Sequence, residues 1–462
     1  MTITREAASF RDSAGHVFHC DGRILRTIAP SAADDFRVLH DSGLLASLEK
    51  RGWLIESREV SALTLNVDDA ALVVEHPVLP FISYPYEWCF GALKAAALLT
   101  LDLHLAALDQ DATLIDASAF NVQFRGARPL FIDLLSLRRY RDGEFWRAQS
   151  QFCANFLSPL LLSARGIAPN AWLRGSMEGI EATSVLAALP WYWKLRWTIL
   201  SNLVLPTQLQ KRLGGLGAEI RADHAIAKPF PKIAYVSMLQ QLRGFIQGLR
   251  GKNLTTLWRD YEHHQSYSAT AQNMRDRIVE EFSGRTRPAV LWDIGCNTGQ
   301  FALLALRAGA KRAIGFDFDT GAVEIAFRRA QEAGADFLPL VLDATNPSPD
   351  QGWQQLERKG LKARRNADVL LAMAVLHHLV IGRNVPLADA VGWLVSLAPS
   401  GLIEFVPRGD PMVQRMIALR RDQIFSDYEE AAFAAHLSRH AQIVARHELS
   451  SGGRCVFEYR RL

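Results

Sequence analysis

One short loop in the C-terminal third constrains the fold of this chain more than any other feature. The apolar run Leu291–Ile294 contains Asp293 and leads into a turn in which Gly295 and Gly299 are followed at once by an amphipathic segment. A strand, a tight glycine turn and a helix in this order are typical of the first unit of a nucleotide-binding α/β sheet. The glycines are spaced G-x-x-x-G, and Asn297 stands where the dinucleotide fingerprint G-x-G-x-x-G has its second glycine. Because the acid would repel a phosphate, a ligand with an amino acid at one end and a ribose at the other fits this loop better than a dinucleotide.

Acidic residues end the next two predicted strands as well. Asp317 closes the apolar run Ala313–Asp317, and Asp343 closes the run 337–343, one strand–helix unit further on. In an open α/β sheet, ligands bind beyond the carboxyl ends of the strands. We therefore expect Asp317 to accept the ribose hydroxyls, Asp343 to accept an adenine amino group and Asp293 to face the amino group of a methionine. The set predicts a site for S-adenosylmethionine (SAM).

The end of the chain predicts a change of strand direction. The runs 442–446 and 454–459 flank the glycine turn 450–453, which indicates a hairpin. Two more apolar runs, 367–373 and 401–406, supply the fourth and fifth strands. The predicted fold class is α/β, with a mostly parallel sheet closed by an antiparallel edge strand.

The region 261–462 resembles the class I SAM-dependent methyltransferases. The matching segments are 293–299 (Asp-Ile-Gly-Cys-Asn-Thr-Gly), 315–317 (Gly-Phe-Asp), 343–344 (Asp-Ala) and 368–378 (Asp-Val-Leu-Leu-Ala-Met-Ala-Val-Leu-His-His). The resemblance implies a Rossmann-like seven-stranded sheet, SAM as cofactor and a methyl group that points at substrate near the end of the fourth strand. The cofactor-binding residues that it implies are Asp293, Gly295, Asn297, Gly299, Asp317, Asp343, Ala344 and Ala374. Asn297 departs from the glycine that many members carry.

Candidate catalytic residues follow the fourth and fifth strands. His377 and His378 stand where the substrate's nucleophile is expected, and a histidine there can take a proton from a hydroxyl or an amine. The alternative is a structural histidine that caps the next helix. Glu404, in the fifth strand, is a third candidate. Alignment alone also promotes methyl transfer, and no metal is expected at this site.

The N-terminal half predicts a separate α+β domain with a remote resemblance to protein kinases. Short strands are predicted at 16–20, 23–28, 53–56 and 71–75, and a long helix near 90–108 follows them. Asp116 and Asn121 then have the spacing D-x-x-x-x-N, and Asp133 follows a short glycine turn. In protein-kinase-like folds, residues so spaced are a catalytic Asp, a metal-binding Asn and a magnesium-binding Asp. The resemblance implies a nucleotide and Mg²⁺ site at Asp116, Asn121 and Asp133.

The departures from the kinase pattern are large. Leu114-Ile115-Asp116 replaces His-Arg-Asp, Asp133 is followed by two leucines instead of Phe-Gly, and the expected lysine is Arg26. No glycine-rich phosphate loop precedes these residues. The alternative is a helical substrate-recognition domain in which Asp116 and Asn121 shape a turn.

The whole chain resembles the methyltransferases related to the rhizobial nodulation protein NoeA. The segments that carry the resemblance are 81–88 (Phe-Ile-Ser-Tyr-Pro-Tyr-Glu-Trp), 116–124, 128–133 and 404–407. The resemblance implies a methyltransferase and leaves the substrate open.

Composition sets the remaining expectations. The 462 residues predict two or three domains, which we place at 1–216, 217–260 (a helical linker) and 261–462. A net charge of +4 gives no strong nucleic-acid signal, and five scattered cysteines indicate reduced thiols in the cytoplasm. No uncharged run reaches membrane length, so 89–108 is predicted to be a buried helix. The aromatic and basic run 190–197 favours a helix start with its rings in the core, and a membrane surface or a substrate groove is the alternative.

Together these features predict a SAM-dependent methyltransferase that acts on a small-molecule or glycan-type acceptor, selected by the N-terminal domain. A bifunctional kinase–methyltransferase and a non-catalytic SAM-binding scaffold protein are the two alternatives. The oligomeric state is left open.

Overall fold

The chain forms two compact units. The computed structural model describes residues 3–61, 70–212, 229–252, 269–418, 427–449 and 453–462. The first unit consists of residues 1–124, 129–253 and 350–358, and the second of residues 125–128, 254–349 and 359–462. Of the predicted linker, residues 217–228 and 253–260 lie outside the described part, as do residues 261–268 at the start of the predicted methyltransferase domain.

The first unit begins with a five-stranded antiparallel sheet. Its strands are β1 Ile3–Arg5, β2 Val17–Cys20, β3 Arg23–Ile28, β4 Arg58–Val60 and β5 Leu72–His76, in the spatial order β1-β2-β3-β5-β4. Alternate residues of these strands, among them Phe18, Cys20, Leu25 and Val73, form a buried cluster on one face. The predicted strand at 53–56 is wrong, because Leu54 makes only a single bridge to Phe131 and the strand itself begins at Arg58.

A long buried helix follows the sheet. This helix, Phe90–Leu108, is long and apolar enough by length and composition to cross a membrane, but 61% of that stretch is buried inside the protein. Its Asp102 pairs with Arg243 of the helix Lys232–Gly248. The structure therefore agrees with the prediction of a core helix here.

Two short strand pairs come next. β6 Ala112–Leu114 pairs antiparallel with β9 Leu137–Arg139, and β7 Val122–Arg125 pairs with β8 Arg128–Phe131. The other regular elements described in this unit are helices, and one of them lies in the described part of the predicted linker. Its α-helices from the N terminus are α1 Pro30–Asp41, α2 Leu44–Lys50, α3 Phe90–Leu108, α4 Gln149–Phe152, α5 Ser158–Ala164, α6 Asn170–Gly175, α7 Ala182–Ala188, α8 Trp191–Lys194, α9 Trp197–Ile199, α10 Leu205–Arg212 and α11 Lys232–Gly248.

The second unit contains a seven-stranded sheet with helices between its strands. The strands are β10 Leu291–Ile294, β11 Ala313–Asp317, β12 Phe337–Val341, β13 Val369–Ala372, β14 Ser400–Phe405, β15 Ala441–Glu448 and β16 Cys455–Arg461. The described helices are α12 Ala269–Thr286, α13 Gln300–Ala308, α14 Thr320–Ala333, α15 Leu387–Leu397, α16 Pro411–Ala418 and α17 Glu430–Ser438. The strand order is β12-β11-β10-β13-β14-β16-β15, and the first five are parallel. This confirms the predicted seven-stranded, mostly parallel α/β sheet.

The antiparallel strand is not the edge strand that the sequence predicted. β16 runs antiparallel to both β14 and β15 and lies between them. Along the chain, α17 is followed by β15, which lies at the edge of the sheet. The last strand, β16, lies between β15 and β14. The turn residues 450–452 of the predicted hairpin lie outside the described part of the chain.

Candidate active site

The loop after β10 has the backbone that its glycines predict. Gly295, Asn297 and Gly299 have positive φ angles of 75°, 48° and 82°. A Cβ on Gly299 would lie 2.4 Å from the ring of Phe337, so no larger residue fits there without movement. Asparagine is one of the few other residues that enter this left-handed region readily. Asn297 therefore preserves the turn in which a glycine would be expected.

A cavity of about 320 Å³ opens beyond the carboxyl ends of the parallel strands. The loop, the end of β11, the segment after β12 and the segment after β13 all contribute to its wall. Of the predicted site residues, the wall includes Gly295, Asn297, Asp317, Asp343, Ala344, Ala374 and His378. This arrangement agrees with the general position of ligands in open α/β sheets.

Asp317 lies on the cavity wall with both carboxylate oxygens already oriented. One oxygen accepts a hydrogen bond from the backbone N–H of Asn297 at 2.9 Å, and the other from the N–H of Asp319 at 2.9 Å. Burial raises the pKa of Asp317 to about 6, and these two amides oppose the shift. Because a carboxylate oxygen can accept more than one hydrogen bond, each oxygen keeps capacity for a hydroxyl group.

Asp293 lies deeper than the sequence alone indicates. Its side chain is 1% exposed and is not on the cavity wall. Neither carboxylate oxygen makes a hydrogen bond of good geometry. Burial and the neighbouring charge of Asp317 raise its pKa to about 7, and the Ala302 amide and Arg275 oppose the shift. A buried carboxylate without a full set of hydrogen-bond partners is stabilised in its charged form by a nearby cation.

Asp343 and Ala344 also line the cavity. Asp343 accepts hydrogen bonds from the backbone N–H and the hydroxyl of Thr345, and its second oxygen lies 3.4 Å from Arg383. Phe318, which directly follows Asp317, is 49% exposed although it is aromatic, and it lines the same cavity. The Phe318 ring and the Asp343 carboxylate line the same cavity, and together they are suited to a flat heterocycle with an amino group.

Ala374 carries backbone strain at the cavity. It follows β13 with a φ of 57°, which is uncommon for a residue with a Cβ. Such strain is found where the surrounding structure holds a functional segment in place. The segment after β13 brings Ala374, Val375 and His378 to the wall.

The two adjacent histidines have different environments. His378 lines the cavity, whereas His377 is 1% exposed, lies outside the wall and has no hydrogen-bond partner on either ring nitrogen. Burial lowers the pKa of His378 to about 4, so its ring is neutral near pH 7. Burial also lowers the pKa of His377, and nearby His378, Arg454 and Arg275 lower it further. His378 is therefore the one of this pair that is positioned to meet a bound molecule.

Glu404 lies below the cavity in a buried ion pair. It is 0% exposed, and one carboxylate oxygen is 2.9 Å from the guanidinium of Arg275. Arg275 comes from α12, stacks on Phe301 at 4.7 Å from the ring centroid and does line the cavity. The structure therefore connects Glu404 to the wall through Arg275 and not by direct exposure.

The sequence analysis did not single out several residues of the wall, among them Arg275, Phe318, Arg383 and Met416. Phe318 offered a usable signal, because an aromatic residue directly follows a strand-end acid. The other three come from helices or turns, and the pattern of these segments does not indicate which face meets a cavity.

The three residues of the predicted nucleotide site, Asp116, Asn121 and Asp133, lie close together in the first unit. The carboxylate of Asp133 is already paired with an arginine. Asn121 donates to the hydroxyl of Ser136 at 3.4 Å, and that hydroxyl donates to Asp133. Burial raises the pKa of Asp116, and the charge of Asp133 contributes to the shift. Asp133 also forms an ion pair with the buried Arg26 at 2.6 Å.

Arg26 binds a second acid in the same place. Its guanidinium lies 2.5 Å from Asp12, so one arginine bridges two carboxylates. Within the described residues, no group of three or more His, Cys, Asp or Glu side chains could hold a metal ion.

Comparison with known proteins places the chain beside one relative along its full length. It is 43% identical over 463 residues to the nodulation protein NoeA of Rhizobium meliloti (strain 1021), covering 99% of this chain and 96% of the relative. No protein-family model matches the chain.

Two similar solved structures each match less than half of the chain. One is the magnesium protoporphyrin IX methyltransferase ChlM from Synechocystis PCC 6803 with bound SAH, at 17% identity and a TM-score of 0.32, covering 44% of this chain and 93% of that one. Another is the bifunctional kinase-methyltransferase WbdD, at 14% identity and a TM-score of 0.31, covering 44% of this chain and 41% of that one.

Proposed function

This chain belongs to the family of the nodulation protein NoeA, and we propose that it is a SAM-dependent methyltransferase whose second unit carries the active site. The observation that carries the proposal is the cavity at the strand ends, where the glycine loop, Asp317 and Asp343 lie on one wall. The buried Asp293, with no well-formed hydrogen bond to its oxygens, supports the same ligand. SAM has an ammonium group, a ribose and an adenine, which match the chemistry of these three acids.

Asp317, Asp343 and the buried Asp293 have proposed roles in holding the cofactor. Asp317 accepts the two ribose hydroxyls, with its carboxylate fixed by the amides of Asn297 and Asp319. Asp343 accepts from the adenine amino group, beside the backbone of Ala344. The charge of Asp293 compensates the ammonium group from beneath the loop. When bound, SAM supplies an electrophilic methyl group on a sulfonium that is already a good leaving group.

His378 is the proposed contact with the methyl acceptor. Because its pKa is lowered to about 4, the ring is neutral near pH 7 and one ring nitrogen can accept a hydrogen bond from an acceptor hydroxyl or amine. A weak base is sufficient here, since the acceptor atom becomes positively charged as it gains the methyl group and its proton becomes strongly acidic. His377 supports the segment from the core, and Glu404 holds Arg275 against the wall.

The cavity is small for a site that holds both a cofactor and an acceptor. About 320 Å³ is at the lower end of the range for small-molecule pockets. We propose a small-molecule or glycan-type acceptor that presents one hydroxyl or amine, with the first unit selecting the rest of it. All five cysteines are buried and free, which supports a reducing compartment such as the cytoplasm.

The proposal is tested by the transfer of label from methyl-labelled SAM to metabolites of an extract. Wild-type protein is expected to label an acceptor, and the His378→Ala protein is expected to label it much more slowly. SAM binding without transfer to any acceptor would favour the alternative of a non-catalytic scaffold protein.

A phosphoryl-transfer activity of the first unit is a second candidate, because Asp116, Asn121 and Asp133 are brought together there. The ion pair of Arg26 with Asp133 favours a structural site instead, since a guanidinium already occupies the carboxylate that would bind Mg²⁺. We therefore propose that this unit selects substrate. Magnesium-dependent ATP binding that is lost in Asp133→Ala would support the kinase function, and no ATP binding would exclude it.

A further inference from the structure

A second surface, on the first unit, has no part in the proposed function. We call residues 190–212 the aromatic–basic segment. Its side chains Trp191, Tyr192, Leu195 and Trp197 are 72%, 50%, 66% and 64% exposed. The prediction that the rings of 190–197 pack in the core is therefore wrong. Large apolar side chains exposed together are uncommon on a protein surface and indicate an interaction site.

The segment is attached to the unit by other residues. Ile199 and Leu203 are buried, so the short helices α8 and α9 and the turns after them are anchored while the rings face outward. Leu205 and Leu209 on α10 are also exposed, at 48% and 53%, and their spacing of four residues places them on one face of the helix. The exposed apolar groups therefore continue from α8 into α10.

The charge of this segment has one sign. Between Glu181 and Glu219 the sequence contains no acidic residue, and its four bases are Lys194, Arg196, Lys211 and Arg212. The guanidinium groups of Arg196 and Arg165 lie 4.7 Å and 5.6 Å from the ring centroid of Trp193. Positive charge is thus interleaved with aromatic rings, and no carboxylate of the segment offsets it.

From this combination we propose that the aromatic–basic segment is a docking surface for an anionic lipid bilayer. Tryptophan and tyrosine are favoured at the boundary between headgroups and acyl chains, where an apolar ring and a polar group are both accommodated. Lysine and arginine beside them gain from the negative potential of the cytoplasmic leaflet. Exposed leucines supply the apolar contact of a segment that lies in the interface without crossing it.

Charge favours this occupant over a protein partner. The segment contains no carboxylate with which to pair a partner's bases, and its described bases Lys194 and Arg196 attract an anionic surface. This inference does not rest on SAM binding. It would bring the enzyme to acceptors held at a membrane.

The test is sedimentation of the full-length protein with phosphatidylcholine vesicles, with and without phosphatidylglycerol. Wild type is expected to sediment with the anionic vesicles and not with the neutral ones, and added salt is expected to weaken binding. Replacing Lys194 and Arg196 by glutamine should lower the partition coefficient about fivefold for each base. The Trp191→Ser, Trp197→Ser protein should lose binding further.

Matched controls separate the surface from general effects of exposure and charge. Trp353→Ser removes a tryptophan that is 62% exposed elsewhere in the same unit, and it is expected to bind vesicles as wild type does. Replacing the exposed bases Arg37 and Lys50 by glutamine removes the same charge and should have little effect.

Three results would overturn the proposal. These are a failure of wild type to sediment with anionic vesicles, equal binding to neutral vesicles, and equal loss in the control proteins. Self-association of wild type that the tryptophan variant abolishes, in the absence of vesicle binding, would show that the surface pairs two copies of the chain.

Discussion

Replacing Asp317 by alanine is expected to remove most of the affinity for SAM without unfolding the protein. The carboxylate is held by the amides of Asn297 and Asp319, so it is oriented before the ligand binds. The two ribose hydroxyls of SAM would each donate to one of its oxygens. The alanine variant removes both acceptors at once.

The magnitude follows from the number and the charge of these hydrogen bonds. A hydrogen bond to a charged group contributes about 1.5–3 kcal/mol, and water compensates part of the loss, so we expect a total of about 2–4 kcal/mol. At 1.4 kcal/mol for each factor of ten, the dissociation constant should rise about 30- to 700-fold. Asp317→Asn keeps one acceptor oxygen and is expected to show a smaller loss, of about tenfold.

The assay is calorimetric titration with SAM, with thermal unfolding of each protein to confirm the fold. Asp336→Ala is the matched control. It removes an acid that precedes β12, pairs with Arg312 and lies outside the cavity wall. Its affinity for SAM should equal that of wild type. If Asp317→Ala binds SAM as tightly as wild type while both proteins are folded, the assignment of the ribose to Asp317 is refuted.

Three further predictions concern proton transfer, pH and the buried ion pair. His378→Ala should lower kcat by about 10²-fold and leave SAM affinity unchanged, measured by steady-state kinetics and titration; an equal kcat would exclude His378 as the acceptor contact. The affinity for SAM should rise as the pH increases through about 7, because the raised pKa of Asp293 leaves it protonated and neutral below that value, and an affinity independent of pH in titrations of wild type would contradict this. Asp293→Asn should bind more weakly and lose this part of the pH dependence. Glu404→Gln should lower the free energy of unfolding by about 3 kcal/mol in urea, because it leaves Arg275 buried beside a neutral amide, whereas wild-type stability with lost turnover would indicate a direct catalytic role.

The sequence was informative where local backbone chemistry determines the structure. A strand, two glycines and an asparagine predict the loop at 295–299, since these residues adopt positive φ and most others do not. Acids at strand ends predict the positions of Asp317 and Asp343, because parallel strands end at the same edge of the sheet. These features involve neighbours in sequence, and the structure contains them as predicted.

The sequence was less informative where the outcome depends on packing between distant segments. The sequence does not distinguish the adjacent histidines His377 and His378. In the structure His377 is buried in the core, whereas His378 lines the cavity. The ion pair of Glu404 with Arg275 joins residues that are far apart in the chain. The position of β16 beside β14 also depends on pairing between strands that are far apart in the chain.

The aromatic–basic segment shows the same dependence on tertiary structure. A proline followed by aromatic residues fits both a buried helix and an exposed surface. In the structure Trp191 and Trp197 are 72% and 64% exposed, which the sequence pattern alone does not indicate.

A crystal structure of the protein with S-adenosylhomocysteine tests the central claim most directly. We expect the nucleoside in the cavity of the second unit, with its ribose hydroxyls on the Asp317 carboxylate and its adenine amino group at Asp343. A nucleoside bound elsewhere, or crystals that take up none at saturating concentration, would contradict the assignment of this cavity as a methyltransferase active site.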